Sequence, residues 1–348
     1  MTAAGDGATV RLTLDEVRAL ARRTLEENGF SPDHVEAISD LVVAAEADGC
    51  PSHGLMRLIG YVGAVRSGRI NPRAQPKEEE TAPAAVLIDG DGGYSTLAVR
   101  RGLAPLVERA RALGVATLLV RNAHHLGALW YDVEPLGAAG LMAMEFLAAR
   151  PVMSIFGSRE RQLGTNPFAF ACPRGEGPPF VCDLATSAAA RGEIMLAARE
   201  GRAIPEHWAQ DAQGKPIRDA QRALEGTMLP FDDGPKGSSI ALMVELFAVV
   251  ASGGRFGFEA LTADQGDGGP LATGQTIIAL DPQRLGAGLP GARLDALIRY
   301  LRRSESLRLP GERRLAMRVK SASDGVIVRR ALLEEIEGLG GDSRPVPR

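Results

Sequence analysis

Val115-Ala116-Thr117-Leu118-Leu119-Val120-Arg121-Asn122-Ala123-His124-His125-Leu126-Gly127 decides how the chain is read. Val115 to Val120 is a short, nearly unbroken apolar run, the pattern of a strand buried on both faces. An Asn, two His and a Gly follow it directly. In sheets packed with helices, ligands collect beyond the carboxyl ends of strands. The stretch therefore supplies a central strand and a candidate site together. Adjacent histidines point in different directions and make a poor metal pair, and His34 and His207 stand isolated. No metal is expected. One of the two histidines, His124 or His125, is a candidate for catalysis or cofactor contact, with plain packing as the alternative.

Working outward, helices and short strands alternate irregularly. Thr13-Leu14-Asp15-Glu16 has capping-box spacing, and Leu14, Val17, Ala21 and Leu25 follow at helical intervals. Further helices are read at Pro32–Asp48 and Leu55–Ser67, so the first 70 or so residues form a helical unit. Pro72–Pro83 reads as a polar linker. Strands are expected at Ala85–Ile88, Leu141–Phe146, Phe168–Ala171, Phe180–Asp183, Thr276–Leu280 and Leu315–Val319. Between them lie helices at Leu97–Leu113, Tyr131–Ala139, Ser187–Glu200, Ile240–Ser252, Ala292–Arg302 and Leu332–Glu337, and Asp342–Arg348 reads as a tail. The class is mixed α/β, with α+β also open.

Composition narrows the function. The 348 residues are 45% hydrophobic and 24% charged, with a net charge of −3, which excludes wholesale disorder and any global basic field for nucleic acid. The longest apolar run, Ile240–Ser252, is too short and carries Glu245, so no membrane span is expected. Met1–Arg11 lacks the look of a signal peptide, and the expected compartment is the cytoplasm. Three cysteines without a C-x-x-C pattern give neither a disulfide framework nor a zinc site.

Gly286-Ala287-Gly288-Leu289-Pro290-Gly291 matches the dinucleotide fingerprint G-x-G-x-x-G. Five residues separate it from the preceding strand, and Pro290 removes an N–H near the would-be phosphate amides. It reads as a plain Gly-Pro loop rather than a Rossmann fingerprint.

Three further stretches carry chemistry. Ser52-His53-Gly54 sits at a break between helices, with Arg57 and Tyr61 at successive four-residue steps on one helical face. A solvated stripe and a set of acid, carboxylate clamp and hydroxyl donor are both open readings. Leu163-Gly164-Thr165-Asn166-Pro167 and Asp183-Leu184-Ala185-Thr186-Ser187 are strand-flanking turns of small hydrogen-bonding residues. Thr186 or Ser187 is expected to cap the next helix, whose N-terminus suits a phosphate.

With these motifs the chain resembles the type-2 malate/L-lactate dehydrogenase family. The matching pieces are Ser52-His53-Gly54 with Arg57 and Tyr61, Ser67–Pro72, Asn122–Gly127, Leu163–Pro167 and Asp183–Ser187. They continue with Ile204-Pro205, Trp208-Ala209, Asp211, Lys236-Gly237, Ala241-Leu242 and Pro310-Gly311-Glu312, in family order over about residues 12–320. The resemblance implies an atypical, non-Rossmann nicotinamide-binding sheet domain plus a helical domain. The helical part would be discontinuous, 1–78 with 290–348, around a sheet domain at 79–289. It implies NAD or NADP as cofactor, a small-molecule substrate in an inter-domain cleft, and a homodimer.

The implied reaction is NAD(P)H-dependent reduction of a 2-oxo acid to a 2-hydroxy acid, with hydride delivered to C2. Its alternatives are reduction of a cyclic 2-imino carboxylate and a non-catalytic descendant that only binds ligand. On this resemblance His53 is the expected proton donor, with Ser52 beside it, Asp183 orienting or charging it, and His125 as second candidate; histidine's ordinary pKa suits the task. Arg57 and Arg150 are the expected carboxylate clamps, with Tyr61 an added donor. His125, Gly164, Thr165, Asn166, Asp183, Ala185, Thr186, Ser187 and Lys236 are expected to hold the cofactor. The chain departs from the family pattern at Leu126, Ala149, Glu193, Ser238-Ser239 and Glu245. Some members carry Lys where this chain has Ala149; its absence fits an imine, whose amine product needs less help with charge.

Overall fold

Thr13 accepts the Glu16 N–H while Glu16 returns a bond to the Thr13 N–H at 2.7 Å, so the first helix starts where the capping box places it. A computed structural model of the chain describes residues 8–340 apart from 233, 265, 267, 268, 287 and 305. The expected tail, Asp342–Arg348, lies outside the described residues, as does Ala287 of the Gly-Pro loop.

The N-terminal part runs β1 (Thr9–Leu12), α1 (Leu14–Glu27), α2 (Pro32–Ala47), a 3₁₀ turn (Pro51–His53) and α3 (Arg57–Arg66). Its core joins Val17, Leu25, Ile38, Leu41, Leu58 and Val65, drawn from the apolar faces of the three helices. Next come β2 (Lys77–Glu79), β3 (Ala85–Asp89), α4 (Ser95–Leu113), β4 (Val115–His124), α5 (Trp130–Ala138), β5 (Met142–Leu147), β6 (Phe168–Cys172) and β7 (Phe180–Leu184). A loop-rich section holds α6 (Arg191–Arg199), β8 (Ala209–Gln210), α7 (Ala220–Glu225), β9 (Thr227–Met228), α8 (Pro235–Val249) and α9 (Gly257–Ala260). The chain finishes with β10 (Ala272–Leu280), α10 (Pro290–Leu301), α11 (Glu312–Asp324), β11 (Val326–Arg329) and α12 (Arg330–Glu337).

The main sheet has seven strands in the order β2-β3-β4-β10-β5-β6-β7. Only β3 and β4 pair in parallel; every other neighbour pair is antiparallel. A Rossmann sheet is mostly parallel, so the fold is a mixed α/β sheet of a different kind. Val115–Val120 lies inside it, with Ala116 and Leu118 fully buried between β3 and β10. The Gly-Pro loop leads into α10, where Gly291 packs on the Arg174 backbone and Asp295 accepts the Gly175 and Glu176 N–H groups. It serves the β6–β7 turn. At the end of the chain, β11 pairs with β1.

Three local expectations differ from the structure. Leu315–Val319 is helical, within α11. Arg314 and Arg318, one helical turn apart, both reach Asp48 and Glu134, and this shared ion-pair face decides against a strand. The Pro72–Pro83 linker contains the edge strand β2, where Glu78 and Glu79 find Arg109 and Arg121. Finally, α6 begins at Arg191 with Ala190 as an N-cap that makes no side-chain bond, so neither Thr186 nor Ser187 caps it. Their hydroxyls bond the carbonyls of Thr165 and Ala189.

Candidate active site

The turn between α2 and α3 carries the first two residues. Buried Glu46 accepts the Leu55 N–H at 2.8 Å, which folds the chain back over Pro51–His53. Ser52 Oγ lies 3.0 Å from His53 Nδ1. Arg57, in the next turn, donates from Nε to the Ser52 carbonyl at 2.7 Å. The terminal guanidinium nitrogens of Arg57 have no partner among the described residues.

Across from this turn, the end of β4 delivers His125. Its Nδ1 lies 3.5 Å from Ser95 Oγ and its Nε2 3.3 Å from the Gly127 carbonyl. Gly127 has φ 96°, and a Cβ there would strike Leu41, so glycine is required for the chain to turn beneath the ring. His124 points the other way, to the Pro270 carbonyl at 3.1 Å and to Arg69. Within the described residues no cluster of three or more His, Cys, Asp or Glu has a metal-holding arrangement.

His53, His125 and Arg57 feel one another's charge. Burial first, then Arg57 and His125, push the His53 pKa down to about 3. Burial likewise lowers His125 to about 4. Both rings are neutral at pH 7. The third wall is the start of α6, where a Cβ on Gly192 would sit 3.6 Å from the Ser52 Cβ.

Other expected residues stand apart from this centre. Asp183 makes no hydrogen bond to His53; it accepts the Trp130 N–H at 3.0 Å at the start of α5, and burial raises its pKa to about 6. Tyr61 is 3% exposed, and burial pushes its pKa to about 12. Arg150 grips Asp264 with both terminal nitrogens. Asn166 is fully buried, its amide spent on Ala149, Ala241 and Glu245. Lys236 is exposed in the first turn of α8.

The malate/L-lactate dehydrogenase family model matches residues 12–337. The chain belongs to this family. It is 43% identical over 333 residues to the Delta(1)-pyrroline-2-carboxylate/Delta(1)-piperideine-2-carboxylate reductase of Pseudomonas aeruginosa, covering 95% of this chain and 99% of that one. It is 36% identical to the (2R)-3-sulfolactate dehydrogenase (NADP(+)) of Chromohalobacter salexigens, covering 93% and 96%. Among solved structures, Delta1-piperideine-2-carboxylate reductase from Pseudomonas syringae pv. tomato superposes with a TM-score of 0.90 at 36% identity, covering 95% of this chain and 99% of that one.

As a member of the malate/L-lactate dehydrogenase family the chain is an oxidoreductase, and the family implies a nicotinamide cofactor. The residues present fit such a group. The turns at 163–167 and 183–187 are tied together, since Thr186 donates from N and Oγ1 to the Thr165 carbonyl at 2.8 and 2.9 Å. Gly164 packs so closely on the Ala149 carbonyl that a Cβ would lie 2.4 Å from its oxygen. Arg191, the first residue of α6, has no acidic partner among the described residues. Burial and the like charges of Arg161 and Arg150 lower its pKa. Arg150 is balanced by Asp264 and Arg161 is spent on the Leu224, Glu225 and Gly226 carbonyls, which leaves Arg191 as the cation at this helix start suited to an anion such as a phosphate. The sequence reading missed Arg191; its signal was an Arg shortly after the Thr186-Ser187 turn, the region already read as a phosphate site.

Proposed function

We propose that this enzyme reduces a cyclic 2-imino carboxylate at C2, with NADH or NADPH as the hydride source. The likeness to pyrroline- and piperideine-carboxylate reductases carries the reading, and the lowered histidine pKa values agree with it. A 2-oxo acid becomes an alkoxide as hydride arrives and needs a proton at that moment. An imine taken up in its protonated form brings its own proton and leaves as a neutral amine. Two half-buried imidazoles beside Arg57, their pKa values lowered chiefly by burial, suit the second case. The pyrroline- and piperideine-carboxylate reductases among the relatives support it. The sulfolactate dehydrogenase relative favours the 2-oxo acid as second reading, with His53 as donor.

In this reading Arg57 offers its free guanidinium fork to the substrate carboxylate. Arg150 is a second clamp once it leaves Asp264. His53 and His125 wall the reacting carbon, with Ser52 holding the His53 ring and Tyr61 supporting the floor. Asp183 positions the start of α5. Arg191 and the turns at 164–166 and 185–187 hold the cofactor, with Lys236 at their rim. The cleft lies between the helical part, formed from the two ends of the chain, and the sheet part between them.

A homodimer also belongs to the proposal. Leu242, Leu246 and Val250 leave an apolar stripe exposed along α8, the kind of face a second copy covers. Among the described residues no helix is long and apolar enough to cross a membrane. Three free cysteines fit the reducing cytoplasm.

The test is the variant His53→Gln assayed on a cyclic imino acid. The reading expects kcat/KM within about tenfold of the parent. A loss of about 100-fold or more would return the proton transfer to His53.

A further inference from the structure

Glu245 is the only acid of α8, and it is buried at 4% exposure. Its two oxygens meet two different parts of the molecule. Asn166 donates from Nδ2 to Oε2 at 2.7 Å, and the Gly257 N–H at the start of α9 donates to Oε1 at 3.1 Å. Burial raises the Glu245 pKa, and both hydrogen bonds work against that rise, because each N–H favours the ionised carboxylate.

Both ends of the Asn166 amide are occupied. Oδ1 accepts the Ala149 N–H at 3.0 Å, while Nδ2 also donates to the Ala241 carbonyl, one helical turn before Glu245, at 3.2 Å. These partners fix which end of the amide is nitrogen, so Asn166 faces Glu245 as a donor. The turn needs such a hold. Asn166 has φ 29° and precedes Pro167, a conformation that persists only where the surroundings over-determine it. Just before it, the Thr165 carbonyl accepts the Thr186 N–H and hydroxyl at 2.8 and 2.9 Å, so the turn at 183–187 hangs on the turn at 163–167. Gly257 closes the frame from the other side. A Cβ on it would lie 2.7 Å from the Ala149 oxygen, which Gly164 already crowds.

We propose that Glu245 is a positioning residue of the cofactor site, a carboxylate that holds Asn166 in its positive-φ turn and, through it, both turns that receive the nucleotide. Buried as it is, it acts through Asn166 rather than on the cofactor itself. Ala149 and Ala241 set the direction of the Asn166 amide. Glu245 adds the shortest of its bonds, the charge-assisted one, and links it to the start of α9. The inference rests on the proposed reading that the turns at 164–166 and 185–187 hold the cofactor.

The test is Glu245→Gln in the full-length chain. An amide offers one oxygen to two N–H donors, so either Asn166 or Gly257 is left facing an N–H. Without nucleotide, hydrogen exchange should quicken in segments 163–167 and 183–187 and stay unchanged in α1 and α2. In calorimetric titration, NADH and NADPH should both bind about tenfold more weakly. The nucleotide KM should rise by the same factor, with kcat at saturation within about threefold of the parent. Exchange that quickens throughout the chain, or in neither turn, overturns the role given to Glu245. Faster exchange in the turns with unchanged binding overturns the proposal through its premise, that these turns hold the nucleotide. Should Glu245→Gln not fold, Glu245→Asp is read by the same measurements: it keeps the charge but, one methylene shorter, cannot span Asn166 and Gly257 together.

Discussion

Glu46 Oε1 accepts the Leu55 N–H at 2.8 Å, across the turn that carries Ser52 and His53. Gly54 packs against the same carboxyl so tightly that a Cβ would lie 2.1 Å from Oε1. The carboxyl is buried, and burial raises its pKa, so an amide is a fair replacement for it. Glu46→Gln is expected to keep fold and activity within a few-fold. Glu46→Leu leaves the Leu55 N–H unpaired, at a cost of about 1–3 kcal/mol, and frees the turn. Urea titration and kcat/KM read side by side would show both effects.

Asp48 ends α2 at 2% exposure and holds two guanidiniums. Arg314 reaches it at 2.9 Å and Arg318 at 2.6 Å, while Arg314 stacks on Trp130 at 4.4 Å. This clasp fastens α11 to the helix that leads into the active-site turn. Arg314→Leu removes one partner of a buried ion pair, and the loss expected in denaturant unfolding is about 3–5 kcal/mol. A loss below about 1 kcal/mol would mean that Arg318 alone satisfies Asp48.

Half-buried histidines tie stability to pH. His53 and His125 have folded pKa values near 3 and 4, below their ordinary 6.5. Their stabilisation is therefore present above about pH 6.5 and lost as pH falls through the folded values. Asp183 acts in the opposite sense. Its pKa is raised to about 6, so its contribution is present below about pH 4 and lost as pH rises through 6. Around pH 5, replacing either histidine with Gln should lower the slope of stability against pH by about 1.4 kcal/mol per unit. Asp183→Asn should raise it by the same amount. Urea unfolding across a pH series measures all three; an unchanged slope in the histidine variants would contradict their neutral folded state.

Arg191 gives the cofactor assignment its sharpest handle. Its charge sits beside Arg150 and Arg161 with no acid to balance it among the described residues. Arg191→Gln should weaken nicotinamide nucleotide binding about tenfold or more, with a shallower salt dependence. Calorimetric titration with NADH and NADPH separately locates the anion. Equal losses place the pyrophosphate there, and a loss confined to NADPH places the 2′-phosphate. No loss with either nucleotide removes Arg191 from the site.

Much of this was legible in the residues. Val115–Val120 is a central strand with His125 just past its carboxyl end, because an apolar run followed by polar residues is a local signal; it is buried on one face only, at Ala116, Leu118 and Val120, and Val115 is exposed. Ser52, His53 and Arg57 do converge, since a turn and its following helix are near in sequence. The antiparallel insertion of β10 between β4 and β5 was not legible, because pairing across more than 100 residues leaves no periodic trace. Distance along the chain also hid the partners of Glu245, which reads alone as a charge interrupting an apolar helix. Leu315–Val319 misled because its helical state depends on Asp48 and Glu134, far away in the chain. Asp183, expected at His53, turns instead to the start of α5, a contact set by where β7 ends.

The most direct measurement is nicotinamide absorbance decay with one cyclic 2-imino carboxylate and one 2-oxo acid of matched size, each with NADH and with NADPH. The account predicts that the imine is consumed with a kcat/KM at least about tenfold above that of the oxo acid. Faster consumption of the oxo acid would contradict the imine reading and restore His53 as donor. Nucleotide binding without turnover of either compound, or no binding at all, would contradict the reductase itself.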